Sequence, residues 1–280
     1  MECSAKRGFV PGVISALILM LLATVAGAQS LLQVVDLCNG VDRTSPDPQI
    51  NGCTSLIDSG GQPQVLTIAY NNRGDAYIAK GEYDRAIQDF DQSIKLASNN
   101  AKAFNNRGVA YQKKREFDRA IVDFDEAIKL NPSYASPFAN RAETYRKKGE
   151  HDRAIRDYDV AIRLQPTWGA VWNGRCWTRA IVGELQAALA DCNESLRLEP
   201  NVAATFDSRG LIYLKLGQWE SAIADYSSAL RFDAKLVSSL YGRGLAKLKN
   251  GDTGGGNADI AAAQAIEATI AGRFAQYGVQ

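Results

Sequence analysis

Apolar and polar positions repeat along this chain with a period of 34 residues. A register that begins at Thr67 runs to Ile270 in six units without a gap. Within each unit, numbered from 1 to 34, positions 4, 8 and 11 and positions 20, 24 and 27 are mostly apolar, aromatic or small. Both sets have the i, i+4, i+7 spacing of one helix face. Each unit is therefore predicted to form two amphipathic helices.

Glycine and proline mark the expected ends of these helices. Position 15 is glycine in five units, as expected where a helix ends in the left-handed conformation. These glycines are Gly81, Gly149, Gly183, Gly217 and Gly251. The second unit has Arg115 instead, which is expected to cost about 1 kcal/mol. Position 32 is Pro132, Pro166 or Pro200 in three units, which predicts that the second helix ends before it.

The unit length and these positions resemble those of the tetratricopeptide repeat (TPR) family. The resemblance rests on small residues at positions 8 and 20, aromatic residues at 4, 11 and 24, and proline at 32. It implies an all-α fold, a right-handed α-solenoid of helix-turn-helix repeats in a TPR-like superhelix. One position departs from the family, because position 7, usually leucine, is arginine in all six units.

Antiparallel pairing of the two helices explains that arginine. Folding each unit about position 15 or 16 brings position 7 level with position 23, which is aspartate in all six units. A partly buried arginine needs a charged partner, so we expect each arginine to pair with an aspartate of its own or the adjacent unit. An anion site built on the arginines is the alternative.

The same pairing predicts a disulfide in the fourth unit. Cys176 at position 8 and Cys192 at position 24 lie level, where other units pair a small residue with an aromatic one. Two buried free thiols are the alternative. Residues 29–66 are interpreted as a degenerate helix pair, one helix over Gln29–Leu37 and another from Asp47-Pro48, and Cys38 and Cys53 are expected to join them.

The beginning of the chain has the pattern of a secretory signal. Lys6 and Arg7 precede an apolar run from Val13 to Ala26, and cleavage is predicted after Ala28, so residues 1–28 would be removed. The apolar run is too short to span a bilayer comfortably, and no later stretch is long enough. The mature protein is expected to be periplasmic or secreted, with four cysteines under oxidising conditions and no stable membrane span. An uncleaved signal that anchors the chain to the membrane is the alternative.

The other end of the repeat array departs from the pattern. Units 1 to 6 cover residues 67–270, and residues 271–280 are interpreted as a capping tail. Gly254, Gly255 and Gly256 are expected to delay the second helix of the sixth unit to about Asn257. Helical spacing of Ile266, Ile270, Phe274 and Tyr277 predicts that they cap the stack.

Composition and motifs argue against several function classes. Lys and Arg number 32 and Asp and Glu 31, which leaves no field to gather nucleic acid. The one histidine, His151, replaces a packing residue, and neither a zinc-ligand spacing nor a phosphate loop is present. No metal, cofactor or catalytic residue is predicted, and the protein is not expected to be an enzyme.

The resemblance implies that other proteins are the partners. In the family, positions 2, 5, 6, 9, 12 and 13 of the first helices line a concave groove that holds peptide segments. At these positions asparagine side chains, which can pair with a peptide backbone, and basic side chains are the binding candidates. They are Asn71, Asn72, Asn105, Asn106, Asn140, Asn173, Lys102, Lys113, Arg146 and Lys147.

The later units offer an apolar strip instead. Its members are Trp177, Leu211, Leu214, Tyr241 and Leu245. The carboxylate clamp of some family members has Lys and Asn where this chain has Asn71 and Asp75, so such a clamp is not expected. We predict a non-catalytic scaffold that binds peptide segments. A structural or assembly factor acting through its convex face or by self-association is the alternative, and the oligomeric state is not indicated.

Overall fold

The computed structural model describes residues 32–40 and 45–279, which contain helices and turns and no strand. The predicted signal peptide, its cleavage after Ala28 and residues 29–31 lie outside the described residues. A short helix α1 spans residues 32–38, and α2 spans Pro46–Asp58. Among the described residues, every helix is too short or too polar to cross a lipid bilayer.

Each of the six repeats contributes two helices, so the predicted all-α class of helix-turn-helix repeats is confirmed. The helices are α3 Pro63–Lys80, α4 Tyr83–Leu96, α5 Ala101–Lys113, α6 Phe117–Leu130, α7 Ala135–Lys148, α8 His151–Leu164, α9 Gly169–Val182, α10 Leu185–Leu198, α11 Ala203–Lys215, α12 Trp219–Phe232, α13 Val237–Lys249 and α14 Thr253–Ile266. A last helix, α15, spans Ile270–Gln276.

The chain divides into two compact units. The first ends at Lys114 and contains α1 to α5, and the second begins at Arg115 and contains α6 to α15. In the first compact unit, α3 begins at Pro63, four residues before the predicted start of repeat 1. A proline at the first helical position lacks an N–H that would be unpaired there in any case, which accounts for the earlier start.

The predicted contact between positions 8 and 24 is present in both compact units. A Cβ atom on Gly74 would lie 2.6 Å from Cε1 of Phe90, so only glycine fits against that ring. In repeat 4 the corresponding residues are the two cysteines, with the sulphur atoms of Cys176 and Cys192 1.98 Å apart. The sulphur atoms of Cys38 and Cys53 are 2.09 Å apart. Both predicted pairs are therefore at disulfide distance.

Helix ends follow the glycine and proline pattern. Gly81, Gly149 and Gly183 have φ angles of 78°, 80° and 91°, in the left-handed region. Arg115 adopts the same conformation, with a φ of 65°. Helices α6, α8 and α10 end two residues before their prolines, as predicted.

The arginine at position 7 joins consecutive repeats. In repeats 1, 3, 4, 5 and 6 its Nε and Nη2 atoms donate to both carboxylate oxygens of the aspartate at position 23, at 2.7–2.9 Å. In repeats 2 to 5 the Nη1 atom donates to position 25 of the preceding repeat, as in Arg175 to Asp159 at 2.6 Å and Arg209 to Asn193 at 2.8 Å. The predicted Arg–Asp pair is confirmed in repeats 1, 3, 4, 5 and 6.

The glycine run in repeat 6 does not delay its second helix, so that prediction is wrong. Helix α14 begins at Thr253, the same repeat position as the other second helices. The carboxylate of Asp252 accepts a hydrogen bond from the backbone N–H of Gly255 at 2.9 Å. This cap satisfies a donor that the first turn leaves unpaired and offsets the low helix propensity of glycine.

Candidate functional site

The first helices of repeats 3, 4 and 5 border a cavity of about 500 Å³ in the second compact unit. Helices α7, α9 and α11 line it with side chains at positions 2, 5, 6, 9 and 12. The ring of Tyr158 in α8 also lines it. We call positions 2, 5, 6, 9, 12 and 13 of α7, α9, α11 and α13 the first-helix face. The cavity lies where the family resemblance predicted binding positions.

A glycine in α9 leaves space in the cavity lining for the ring of Tyr158. Gly174 lies at position 6 of α9, and a Cβ atom there would be 2.7 Å from Cζ of Tyr158. The Tyr158 hydroxyl donates to Oε2 of Glu143 at 3.1 Å. Burial raises the pKa of Tyr158 well above its ordinary value, so the hydroxyl remains a donor at neutral pH.

An ion pair lies on one side of the cavity. Nε and Nη2 of Arg146 donate to the two carboxylate oxygens of Glu143 at 2.7 and 2.6 Å. Burial acts to raise the pKa of Glu143, but hydrogen bonds from Arg146 lower it below its ordinary value. Lys147 lies 3.6 Å from the same carboxylate. The pair is therefore ionised at neutral pH and adds almost no net charge to the cavity.

An amide acceptor in the cavity has no partner. Oδ1 of Asn173 is buried and makes no hydrogen bond in the structure. Buried acceptors in folded proteins are nearly always paired, and leaving one unpaired costs about 1 to 3 kcal/mol. A ligand that donates a hydrogen bond here would remove that cost.

A buried carboxylate completes the polar lining. Asp207 of α11 accepts hydrogen bonds from the hydroxyls of Ser239 at 2.5 Å and Ser238 at 3.0 Å. Burial raises its pKa to about 6, which the two hydroxyl donors only partly oppose. Trp168, Val171 and Trp177 form the apolar wall. The cavity thus offers aromatic surface and an unpaired hydrogen-bond acceptor, and the charges of Glu143 and Arg146 in its lining offset each other.

Three of the predicted binding residues meet at this cavity. Asn140, Asn173 and Arg146 line it, and Lys147 is adjacent to Glu143. Sequence reasoning missed Glu143, Tyr158 and Asp207 as site residues. The signal for Tyr158 was available, because Gly174 replaces the asparagine that precedes it in the register of repeats 1 to 3.

The asparagines of repeats 1 and 2 hydrogen-bond within the first compact unit, and their role as peptide contacts stays a prediction. Asn71 and Asn105 are 3% and 4% exposed. Nδ2 of Asn106 donates to Oδ1 of Asn71 at 3.4 Å and to Asp75 at 2.6 Å. Asn105 donates to Asn106 at 2.9 Å. These amides hydrogen-bond α3 to α5, because neighbouring first helices lie close enough to bury them.

Of the remaining predicted residues of the first compact unit, Asn72 is hydrogen-bonded to the chain, whereas the two lysines are exposed. Asn72 donates to the carbonyl of Cys38 at 3.2 Å, so its amide supports the degenerate helix pair. Lys102 is exposed and lies 3.9 Å from Asp75, and Lys113 is exposed. Neither lysine is among the residues that line the cavity.

The apolar strip is covered by residues of the chain itself. Residues 270–279, which we call the returning segment, pack over it. Leu211 and Leu214 share a buried cluster with Ile270 and Phe274. Ile266 was predicted to join this cap but is 59% exposed, because it ends α14 before the chain turns.

No candidate metal site is formed by the residues that the structure describes, since no three His, Cys, Asp or Glu side chains come together. His151 begins α8 and lies outside the cavity lining.

Models of the tetratricopeptide repeat match four stretches of the chain. One model, described as tetratricopeptide repeat, matches residues 101–134 and a second of the same description matches residues 135–167. A third, described as TPR repeat, matches residues 74–114 and 210–251. No curated protein matches the chain in sequence.

Solved structures share the fold at low sequence identity. A tetratricopeptide repeat protein from Parabacteroides merdae aligns with a TM-score of 0.65 and 16% identity, over 89% of this chain and 99% of its own. PilF of Pseudomonas aeruginosa aligns with a TM-score of 0.66 and 15% identity, over 73% and 93%. YrrB, described as a TPR protein with an unusual peptide-binding site, aligns with a TM-score of 0.51 and 21% identity, over 62% and 90%.

Proposed function

Since the chain belongs to the tetratricopeptide repeat family, we propose that it is a non-catalytic scaffold for protein–protein interaction and that its cavity holds a peptide segment of the partner. The segment lies across α7, α9 and α11 and donates a backbone hydrogen bond to Asn173. An apolar side chain of the segment packs against Trp168 and Val171.

The unpaired Oδ1 of Asn173 carries this proposal. A peptide N–H is a suitable donor for it, because every residue of an extended segment except proline carries one. Trp168, Val171 and Trp177 supply the apolar surface that a ligand site combines with a few placed polar groups. The peptide-binding site of YrrB, a neighbour in fold, is consistent with this use of the face.

We also propose that the protein acts outside the cytoplasm, in the periplasm or after secretion. Two cysteine pairs at disulfide distance fit an oxidising compartment, as does the signal pattern of residues 1–28. The mass of the protein recovered from its native host tests this proposal. A chain beginning at Gln29 is expected, and an intact N-terminus in the soluble cytoplasm would contradict it.

Binding to a peptide library tests the cavity directly. The oxidised chain from residue 29 to 280 is screened, and the best peptide is titrated against three variants. Asn173→Ala is expected to weaken binding about five- to tenfold, the effect of one buried hydrogen bond. Trp168→Ala is expected to weaken it about tenfold or more through lost aromatic surface.

Asn257→Ala is the matched control, because Asn257 is an exposed helical asparagine outside the cavity lining. It is expected to leave the affinity unchanged. Equal affinities for Asn173→Ala, Trp168→Ala and the control would show that the peptide binds elsewhere, and light scattering would then reveal whether the chain self-associates instead.

A further inference from the structure

The returning segment packs along the first helices of three different repeats. Its Tyr277 ring contacts Trp177 of repeat 4 edge-on, with centroids 5.1 Å apart. Its Phe274 ring lies 4.9 Å from that of Tyr241 in repeat 6. Gly278 and Val279 lie beside Leu214 of repeat 5. A helix that continued the array would contact only its nearest repeat, so this placement differs from that of a simple cap.

We infer that the apolar strip of repeats 4 to 6 is a second binding surface, specific for a short amphipathic helix, and that the returning segment is its resident ligand. This surface is separate from the peptide contact proposed for Asn173, although Trp177 borders both. The inference therefore goes beyond the proposed function and does not depend on it.

The chemistry of the ligand follows from the segment that occupies the surface. Ile270, Phe274 and Tyr277 have i, i+4, i+7 spacing and form one helix face. Ile270 and Phe274 are 0% and 2% exposed, whereas Gly272 on the other side is exposed. A helix bound in a groove is recognised by anchors with this spacing. A competing partner would present one aliphatic and two aromatic anchors in the same order.

Several features indicate that the segment is held loosely enough to exchange. Helix α15 has seven residues, too few to be stable without its contacts. Nε of Arg273 is buried and has no hydrogen-bond partner, although its Nη2 lies 3.3 Å from Glu267. A cavity of about 170 Å³ remains between Gly278, Val279 and the side chains of Leu214 and Leu245. The contact is apolar and imperfectly filled.

Binding of the segment in trans tests the inference. A labelled peptide of residues 268–280 is titrated by fluorescence anisotropy into the oxidised full chain and into a chain that ends at Glu267. The shortened chain is expected to bind the peptide at least tenfold more tightly, because the tethered segment competes at an effective concentration of about a millimolar. The same peptide with Phe274→Ala and Tyr277→Ala is expected to lose at least tenfold in affinity.

Two full-length variants keep the test decisive if the shortened chain fails to fold. Phe274→Ala with Tyr277→Ala weakens the resident segment, so this chain is expected to bind the wild-type peptide more tightly than the unmodified chain does. Gly272→Ala strengthens the segment, because a Cβ atom there meets no atom within 4 Å and favours the helix. It is expected to lower peptide binding about two- to fivefold.

Failure of the peptide to bind any folded variant would overturn the inference and leave the segment as a fixed cap. Asn173→Ala separates this result from the proposed function. Binding of residues 268–280 that is unaffected by Asn173→Ala, together with no library peptide at the cavity, would support the second surface and reject the first.

Discussion

At the scale of single residues, the arginine of position 7 shows how one substitution changes the chemistry of a repeat. Several of these side chains, mostly buried, face two carboxylates or a carboxylate and an amide: Arg141 and Arg175 each face two aspartates, and Arg209 faces Asp225 and Asn193. This pairing was predictable, because antiparallel helices bring the two positions level whatever the neighbouring repeats do. The burial of Asn71 was not predictable, because it depends on how closely α5 approaches α3.

Removal of one such arginine is expected to lower stability strongly. Arg209→Ala leaves Asp225, whose side chain is 7% exposed, without its ion-pair partner. We expect the free energy of unfolding to fall by about 2 to 3 kcal/mol, somewhat less than for a fully buried pair. Arg197→Ala, which breaks an exposed pair with Glu194, is the control and is expected to leave the free energy of unfolding nearly unchanged. Equal losses in urea denaturation would contradict the assignment.

Replacement of Arg115, whose backbone is in the left-handed conformation, by glycine is expected to raise the free energy of unfolding. Arg115→Gly removes the steric cost of a Cβ atom at a φ of 65°. The gain is expected to be about 1 kcal/mol. Gly149→Ala, the reverse change at the equivalent position of repeat 3, is expected to lose a similar amount. A destabilised Arg115→Gly chain in the same denaturation assay would mean that the side chain has contacts worth more than the strain.

Asp207 is expected to make stability fall as pH rises from about 4 to 6. Burial raises the pKa of the native carboxyl to about 6, above its ordinary value of 3.8, so the native state binds more protons than the unfolded chain in this window. The groups around it are Ser238, Ser239 and, at longer range, Arg273, Tyr226 and Tyr277.

Asp207→Asn removes this titration. Across that window the wild-type chain is expected to lose about 2 to 3 kcal/mol more than the variant does. Unfolding free energies of the two chains at pH 4.5 and 7 provide the comparison. Parallel pH profiles would show that Asp207 ionises normally.

At the scale of the helices, spacing predicted the number of elements and most of their ends. It failed where local preferences compete with a cap, as in the glycine run of α14, since the contribution of Asp252 cannot be read from propensity alone. It also predicted an apolar strip on α9, α11 and α13 but not what covers it. An apolar helix face indicates that another group covers it. Only the three-dimensional structure identifies the returning segment as that group.

The cysteine pair of repeat 4 is expected to clamp α9 to α10. Replacement of both residues, Cys176→Ala with Cys192→Ala, is expected to lower the free energy of unfolding by about 3 kcal/mol, from the loop that the bond closes. Denaturation with and without reductant measures this effect. A reductant effect that remains in full in the double variant would assign it to Cys38 and Cys53 instead.

At the scale of the whole molecule, the described residues form two compact units with different uses of the same repeat positions. In the first, polar side chains at these positions pair with each other across α3 and α5. In the second, they border a cavity and then an apolar strip. The resemblance predicted which positions are concerned. It could not predict which of them remain available, because that is decided by contacts between repeats and by residues beyond the last one.

The arginine that joins consecutive repeats has a consequence for how such a chain can lengthen. A duplicated copy of repeat 3 would bring its own arginine at position 7 and its own aspartates at positions 23 and 25. Placed directly after repeat 3, this copy would find Asp159 before it and would present an equivalent aspartate to the arginine of the next repeat. An insertion of one residue more or fewer would rotate these groups out of alignment, so growth of the array is restricted to whole copies.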